Sequence, residues 1–139
     1  MASITQRIAI DVAADTAWSA LRNVADAHKL FAPVLSDSQL SADTRTVRFA
    51  NGMVVRERII DVDDAERRVA YTALDGPGMT YHHASMRIEH AGAGHCLFVW
   101  TTDFLPEEAE TNLSSLIEQG TSALKRNLEA RTFAPSAVV

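Results

Sequence analysis

The stretch PEEAETNLSSLIEQGTSALKRNLEAR, Pro106–Arg131, decides how this chain is read. Apolar residues recur at Leu113, Ile117, Leu124 and Leu128, with Leu116 alongside, which is the stripe of an amphipathic α-helix. No other stretch predicts a helix long enough to cover a large sheet. Ahead of it lies a long run of strand-and-turn pattern, and before that one strand and two short helices. A meander with one apolar face is unstable in water and must bury that face. The natural solution is an α+β domain whose sheet curls around the last helix. Such a grip tends to leave a hollow, and a hollow lined by apolar groups with a few polar ones suits a small molecule.

The opening strand is predicted over Ser3–Val12, where Ile4, Gln6, Ile8, Ile10 and Val12 share one face and Thr5, Arg7, Ala9 and Asp11 the other. Asp15 is placed to cap a helix over Thr16–Val24, with Ala17, Leu21 and Val24 on one face and Trp18 beside them. A second short helix, Ala25–Phe31, stops before Pro33. Asn51-Gly52 predicts a two-residue hairpin between Arg45–Ala50 and Met53–Val62, because that turn needs positive φ at both positions. Further strands are predicted over Arg68–Leu74, Thr80–His90 and His95–Leu105, separated by Asp63–Glu66, Gly76-Pro77-Gly78 and Gly92-Ala93-Gly94. Residues 1–133 read as one domain, and Ala134–Val139 as a loose tail.

Composition narrows the function classes. The chain has 139 residues, 47% hydrophobic and 22% charged, the balance of an ordinary globular domain. A net charge of −5 argues against a nucleic-acid partner, which would call for a basic stripe. The one cysteine, Cys96, rules out an intramolecular disulfide and sits in an apolar run as a small hydrophobe. No secretory signal and no membrane-length apolar run is visible, so a soluble, cytoplasmic protein without membrane insertion is expected, as a monomer or homodimer.

Several motifs occur in a telling order. Ile8-x-Ile10 and Ala14-Asp15-Thr16-Ala17-Trp18-x-x-Leu21 open the chain. Val55-Arg56-Glu57-Arg58-Ile59-Ile60-x-Val62-Asp63-Asp64 lies in the middle, and Val99-Trp100-x-x-x-Phe104-x-Pro106 precedes the last helix. Together they resemble the polyketide cyclase/dehydrase-type branch of the START-related, helix-grip superfamily, often called SRPBCC. The resemblance spans about residues 3–130. It implies a seven-stranded antiparallel sheet gripping the C-terminal helix around a cavity, and it places a glutamate in that cavity at Glu57. It names no ligand, because one scaffold of this kind serves lipid carriers, hormone receptors, aromatases and regulators.

Strand alternation selects the polar candidates. Arg56 and Arg58 share one face and prefer water, so Val55, Glu57 and Ile59 are assigned to the inner one. An inward glutamate in an apolar hollow needs a partner, and burial there would raise its pKa. The competing reading is a rim carboxylate paired with an arginine. His82 falls with Ala84, Met86 and Ile88 on the apolar face, whereas His83 falls with Ser85 and Arg87. Adjacent strand residues point apart, so this pair cannot chelate one ion, and no metal and no cofactor are expected. Proteins resembling this one often carry a tyrosine in place of His82. His82 is set either to bond a ligand or Glu57, or to be satisfied by a backbone carbonyl or water.

Among the apolar candidates, Tyr71, Trp100 and Phe31 are read as cavity wall as much as core. Val55, Leu116, Ile117 and Leu124 complete the expected ligand-binding set. Gly120 interrupts the helical stripe at a cost of about 1 kcal/mol relative to alanine. Either the helix presses on a strand there, or the missing side chain leaves room for a ligand. Lys29 matches the anion-binding lysine of plant abscisic-acid receptors, but their gate loop has no counterpart at Asn51-Gly52, so Lys29 is read as solvated.

Three functions stay open at this stage. The first is binding of a small, largely apolar molecule of lipid, polyketide or hormone type, between sheet and helix. A cyclase or aromatase using Glu57 or His82 as acid or base is the second. The third is an interaction module whose hollow is vestigial.

Overall fold

A computed structural model describes residues 2–76 and 78–130, so Pro77, Arg131 and the tail Ala134–Val139 lie outside the described residues. The chain runs β1 (Ala2–Ile10), α1 (Ala14–Leu21), a 3₁₀ turn (Val24–Asp26), α2 (Ala27–Leu30), β2 (Leu35–Ser41) and β3 (Thr44–Phe49). It continues through β4 (Val54–Asp63), β5 (Arg68–Ala73), β6 (Tyr81–His90) and β7 (Cys96–Leu105). A 3₁₀ turn (Glu107–Ala109) then leads into α3 (Glu110–Ala130). Among the described residues seven strands form one sheet in the order β1-β7-β6-β5-β4-β3-β2, with every pairing antiparallel. This is the helix-grip architecture, and no described helix is long and apolar enough to cross a membrane.

β1 alternates as its sequence requires, from partly buried Ile4, Gln6 and Ile8 to fully buried Ile10. β4 alternates only as far as Ile59. The register with β5 shifts between Ile59 and Asp61, a bulge that leaves Ile60 outward at 51% exposure and returns Val62 to the core side. The inner set on β4 is therefore Val55, Glu57, Ile59 and Val62, which strict alternation would not produce.

Two local expectations need correction, and one strand lies where none was predicted. β2 was not legible as a strand, because along Leu35–Ser41 only Ser38 is buried and the rest carries no apolar alternation. It is an edge strand held by pairing with β3 and by the Ser38 hydroxyl, which donates to the Ala25 carbonyl at 2.6 Å. Asp15 does not cap α1. The N-cap is Ala13, and Asp15 in the first turn instead pairs with Arg67 at 2.6 Å, where its charge also suits the helix N-terminus. The β3–β4 connection is not a two-residue hairpin. Gly52 N–H donates to Phe49 O at 2.9 Å and Phe49 N–H to Met53 O at 2.8 Å, with positive φ at Gly52 (92°) and not at Asn51. That is a longer loop built on an ordinary turn, in which the Asn51 side chain accepts from Met53 N–H.

The core is lopsided, and this makes the cavity. The C-terminal half of α3 buries Thr121, Ala123, Leu124, Asn127 and Leu128, and the helix packs chiefly on β1. Asn127 Nδ2 donates to the carbonyls of Leu30 and Ala32, both at 2.8 Å, tying this half to the chain after α2. In the N-terminal half Leu113 and Leu116 stay only partly buried. A helix clamped at one end above a curled sheet leaves space under the other.

Candidate ligand cavity

That space is a cavity of about 810 Å³. Its floor is the inner face of β3 to β7, its roof the N-terminal half of α3, and its far wall Phe31, Val34 and Leu35. The loops carrying Met53 and Met79 stand at its edge. The lining is mainly apolar, with polar side chains from the strands (Arg45, Glu57, His82 and Thr102) and from α3 (Asn112, Ser115 and Gln119).

Of the residues expected there, Phe31, Val55, Glu57, Tyr71 and His82 line the cavity, as do Trp100, Leu116, Ile117 and Gly120. Leu124 does not. It is fully buried one turn beyond Gly120, inside the solid core. Lys29 is exposed, 3.7 Å from Asp26.

Glu57 has its partner inside the hollow. Arg45, directly opposite on β3, donates from Nε to Glu57 Oε1 at 2.8 Å, and its Nη2 lies 2.8 Å from the same oxygen as an ion pair. The side chains are only 9% and 13% exposed, so both charges sit largely out of water. Arg45 Nη1 also donates to the Val24 carbonyl at 3.2 Å, and the guanidinium lies 5.4 Å from the Tyr71 ring centroid. Burial pushes the Tyr71 phenol above its ordinary range, and the Glu57 carboxylate adds to this, so the ring stays neutral. Arg45 is not among the residues expected in the cavity, yet strand alternation carries its signal: Arg45, Val47 and Phe49 alternate with Thr46 and Arg48. An arginine on the inner face was the missing counterion.

His82 is held differently from either expectation. Its Nδ1 accepts a 2.9 Å hydrogen bond from Ala73 N–H on β5, and its backbone carbonyl accepts from the Thr72 hydroxyl. The paired register of β5 and β6 runs no further in this direction than Tyr71 and Ala84, so the two side chains bridge strands that have parted. A backbone amide can only donate, so Nδ1 carries no proton and the neutral ring carries its proton on Nε2. Among the described residues no hydrogen bond joins His82 to Glu57; each is committed to another partner.

Burial lowers the His82 pKa from 6.5 to about 4, and His83 beside it adds a little. The unfolded chain therefore takes up this proton before the folded one does as pH falls. The neutral ring contributes its full stability above about pH 6.5, and this is lost as pH drops from there towards 4. Urea midpoints between pH 7 and pH 4.5 should fall more steeply for the wild type than for His82→Asn, which cannot titrate yet keeps an acceptor for Ala73 N–H. Parallel curves would show that His82 is not buried as described.

At Gly120 the helix does press on the sheet. A Cβ there would lie 2.9 Å from Trp100 Cζ3 and 3.2 Å from Cη2. The indole is in turn flanked by Phe31 and Phe98, with centroids at 5.8 and 6.1 Å. The absent side chain is replaced by the edge of a ring that is itself cavity wall.

Comparison with known proteins agrees with this architecture. A protein from Bacillus thuringiensis superposes with a TM-score of 0.85 at 20% identity, covering 91% of this chain and 98% of its own. A START superfamily protein from Mycobacterium smegmatis gives 0.72 at 13% identity, over 94% and 96% of the two chains. Norcoclaurine synthase from Thalictrum flavum, a point mutant in complex with a transition state analogue, gives 0.71 at 16% identity, over 94% and 95%. At such identities the likeness is one of fold. No curated protein matches the sequence. The family model for polyketide cyclase/dehydrase and lipid transport, however, matches residues 1–129, and the chain belongs to that family.

Proposed function

We propose that this protein binds a small, largely apolar molecule in the cavity between the sheet and α3. The observation that carries the reading is the cavity itself, about 810 Å³ walled by Phe31, Val55, Tyr71, Trp100, Leu116 and Ile117. Burial of apolar ligand surface supplies the affinity, at about 25 cal/mol per Å² before the costs of association. Glu57, Arg45 and His82 supply the polar groups that orient it.

The site geometry supports binding better than proton transfer. A general base needs a free lone pair in reach of the proton it takes. On His82 the Nδ1 lone pair is held by Ala73 N–H and Nε2 already bears its proton. Glu57 Oε1 is committed to Arg45, which donates to it from Nε and pairs with it through Nη2. Both expected acid–base candidates are built as fixed polar fittings.

A neutral fluorescent probe such as N-phenylnaphthylamine should bind saturably, near one per chain, and raise the melting temperature. Leu116→Trp, which puts an indole into the roof of the hollow, should weaken this binding by roughly tenfold or more, about 1.4 kcal/mol, without unfolding the protein. Absence of saturable binding by neutral apolar probes would remove the proposal.

A further inference from the structure

The polar fittings of the cavity are unequal, and their inequality describes the ligand. Arg45 spends Nε and Nη2 on Glu57 and Nη1 on the Val24 carbonyl. The positive charge is thus already neutralised before any ligand arrives. Glu57 is likewise matched, so neither a carboxylate nor an ammonium ion would find an uncompensated charge to pair with. Burying a ligand charge without such a partner is costly.

His82 is the exception. Its Nδ1 is anchored on Ala73, which fixes both the ring plane and the tautomer. The ring lines the cavity beside Tyr71, with centroids 5.8 Å apart. Its Nε2–H makes no hydrogen bond among the described residues, and Nε2 is not one of the fully buried, unpaired polar atoms. The result is a donor whose direction is fixed in advance by the β5 backbone, an anchor that the hydroxyls and amides of Thr102, Asn112, Ser115 and Gln119 elsewhere in the lining do not share. It is the group best placed to reward a specific ligand atom, since its orientation is set in advance.

We propose that His82 is the specificity-determining donor of this cavity, and that its ligand is an uncharged apolar molecule presenting a carbonyl oxygen to Nε2–H. This rests on the binding function proposed above and adds the chemistry that the ligand must carry. A hydrocarbon of the same shape fills the hollow but leaves the donor dry and unpaired. An amine presents a donor to a donor. The His82→Leu variant loses the discrimination because nothing then distinguishes a carbonyl from a methylene.

The test uses a matched pair, octanoylnaphthalene and octylnaphthalene, which differ by one carbonyl, with octylnaphthalene bearing a terminal amine as a third probe. Equilibrium dialysis measures the preference for ketone over hydrocarbon in the wild type and in His82→Leu. We expect that preference to fall by roughly tenfold in the variant, the worth of one net hydrogen bond from a buried donor. Should His82→Leu fail to fold, the wild type alone suffices. Imidazole ¹⁵N spectra of the free protein should show the Nε2–H tautomer at His82, and the ketone should shift that Nε2–H resonance where the hydrocarbon does not. Equal binding of ketone and hydrocarbon without an Nε2 shift would overturn the role of His82 while leaving the cavity function intact. Preferred binding of the amine would overturn it too. Failure of every probe to bind would overturn the cavity function, and this inference with it.

Discussion

Glu57→Leu lowers the free energy of unfolding by about 3 kcal/mol, because it strands the Arg45 guanidinium, whose side chain is only 9% exposed, without its counterion. Removing one member of a buried pair leaves an uncompensated charge, and that residue of charge, more than the lost attraction, is what the protein pays for. Val24 O and the Tyr71 ring still receive the guanidinium, and the cavity admits water, so the loss sits at the low end of what buried pairs show. Arg45→Met costs a similar amount by stranding the carboxylate. The double variant Arg45→Met/Glu57→Leu recovers most of the stability, since packed apolar groups replace two desolvated ions. Urea denaturation of all four proteins completes the cycle. Additive single losses, with no recovery in the double variant, would show that the two side chains act independently and that the pairing is wrong.

Gly120→Leu is expected to destabilise by about 2 kcal/mol. Leaving glycine in a helix gains nearly 1 kcal/mol of propensity. Against this, a side chain starting 2.9 Å from the Trp100 ring must overpack a contact that Phe31 and Phe98 already brace, at a cost of about 1–3 kcal/mol or more for so large a residue. The indole has one direction left to it, into the cavity. The folded variant should therefore also bind an apolar probe more weakly, and Gly120→Ala should show a smaller loss on both measures. An unchanged or raised denaturation midpoint in Gly120→Leu would mean that open space lies beside Gly120, and that α3 sits higher above the sheet.

The two variants probe opposite ends of one design. Arg45 and Glu57 hold the β3–β4 side of the hollow open with polar groups that cannot collapse inward without losing each other. Trp100 under Gly120 closes the other side by contact with α3. Between them His82 presents its donor from β6, braced by the β5 backbone. Arg45, Glu57 and His82 are each tied to one another or to backbone, so none of the three is free to fold across the cavity.

Several features were legible before any folding was considered, because they depend on periodicity that each element carries alone. The stripe Leu113, Ile117, Leu124, Leu128 marks α3, and Arg56 with Arg58 turns Glu57 inward, since side-chain direction in a helix or strand follows from backbone geometry. The hollow itself followed from a long meander and one long helix. What the tertiary structure alone decided was partnership. β2 has almost no apolar face and exists only because β3 offers it a ladder. The bulge at Ile60 carries the inner face on to Val62, out of step with alternation. Leu124 shares its stripe with Ile117 yet lies in solid core, because α3 is clamped at one end and lifted at the other. Arg45 meets Glu57 through strand register across a loop, and His82 owes its tautomer to an amide nine residues earlier on a neighbouring strand. Periodicity is a property of a segment and can be read along it; a counterion, a tautomer or a contact distance belongs to two segments at once and exists only after the sheet has brought them together.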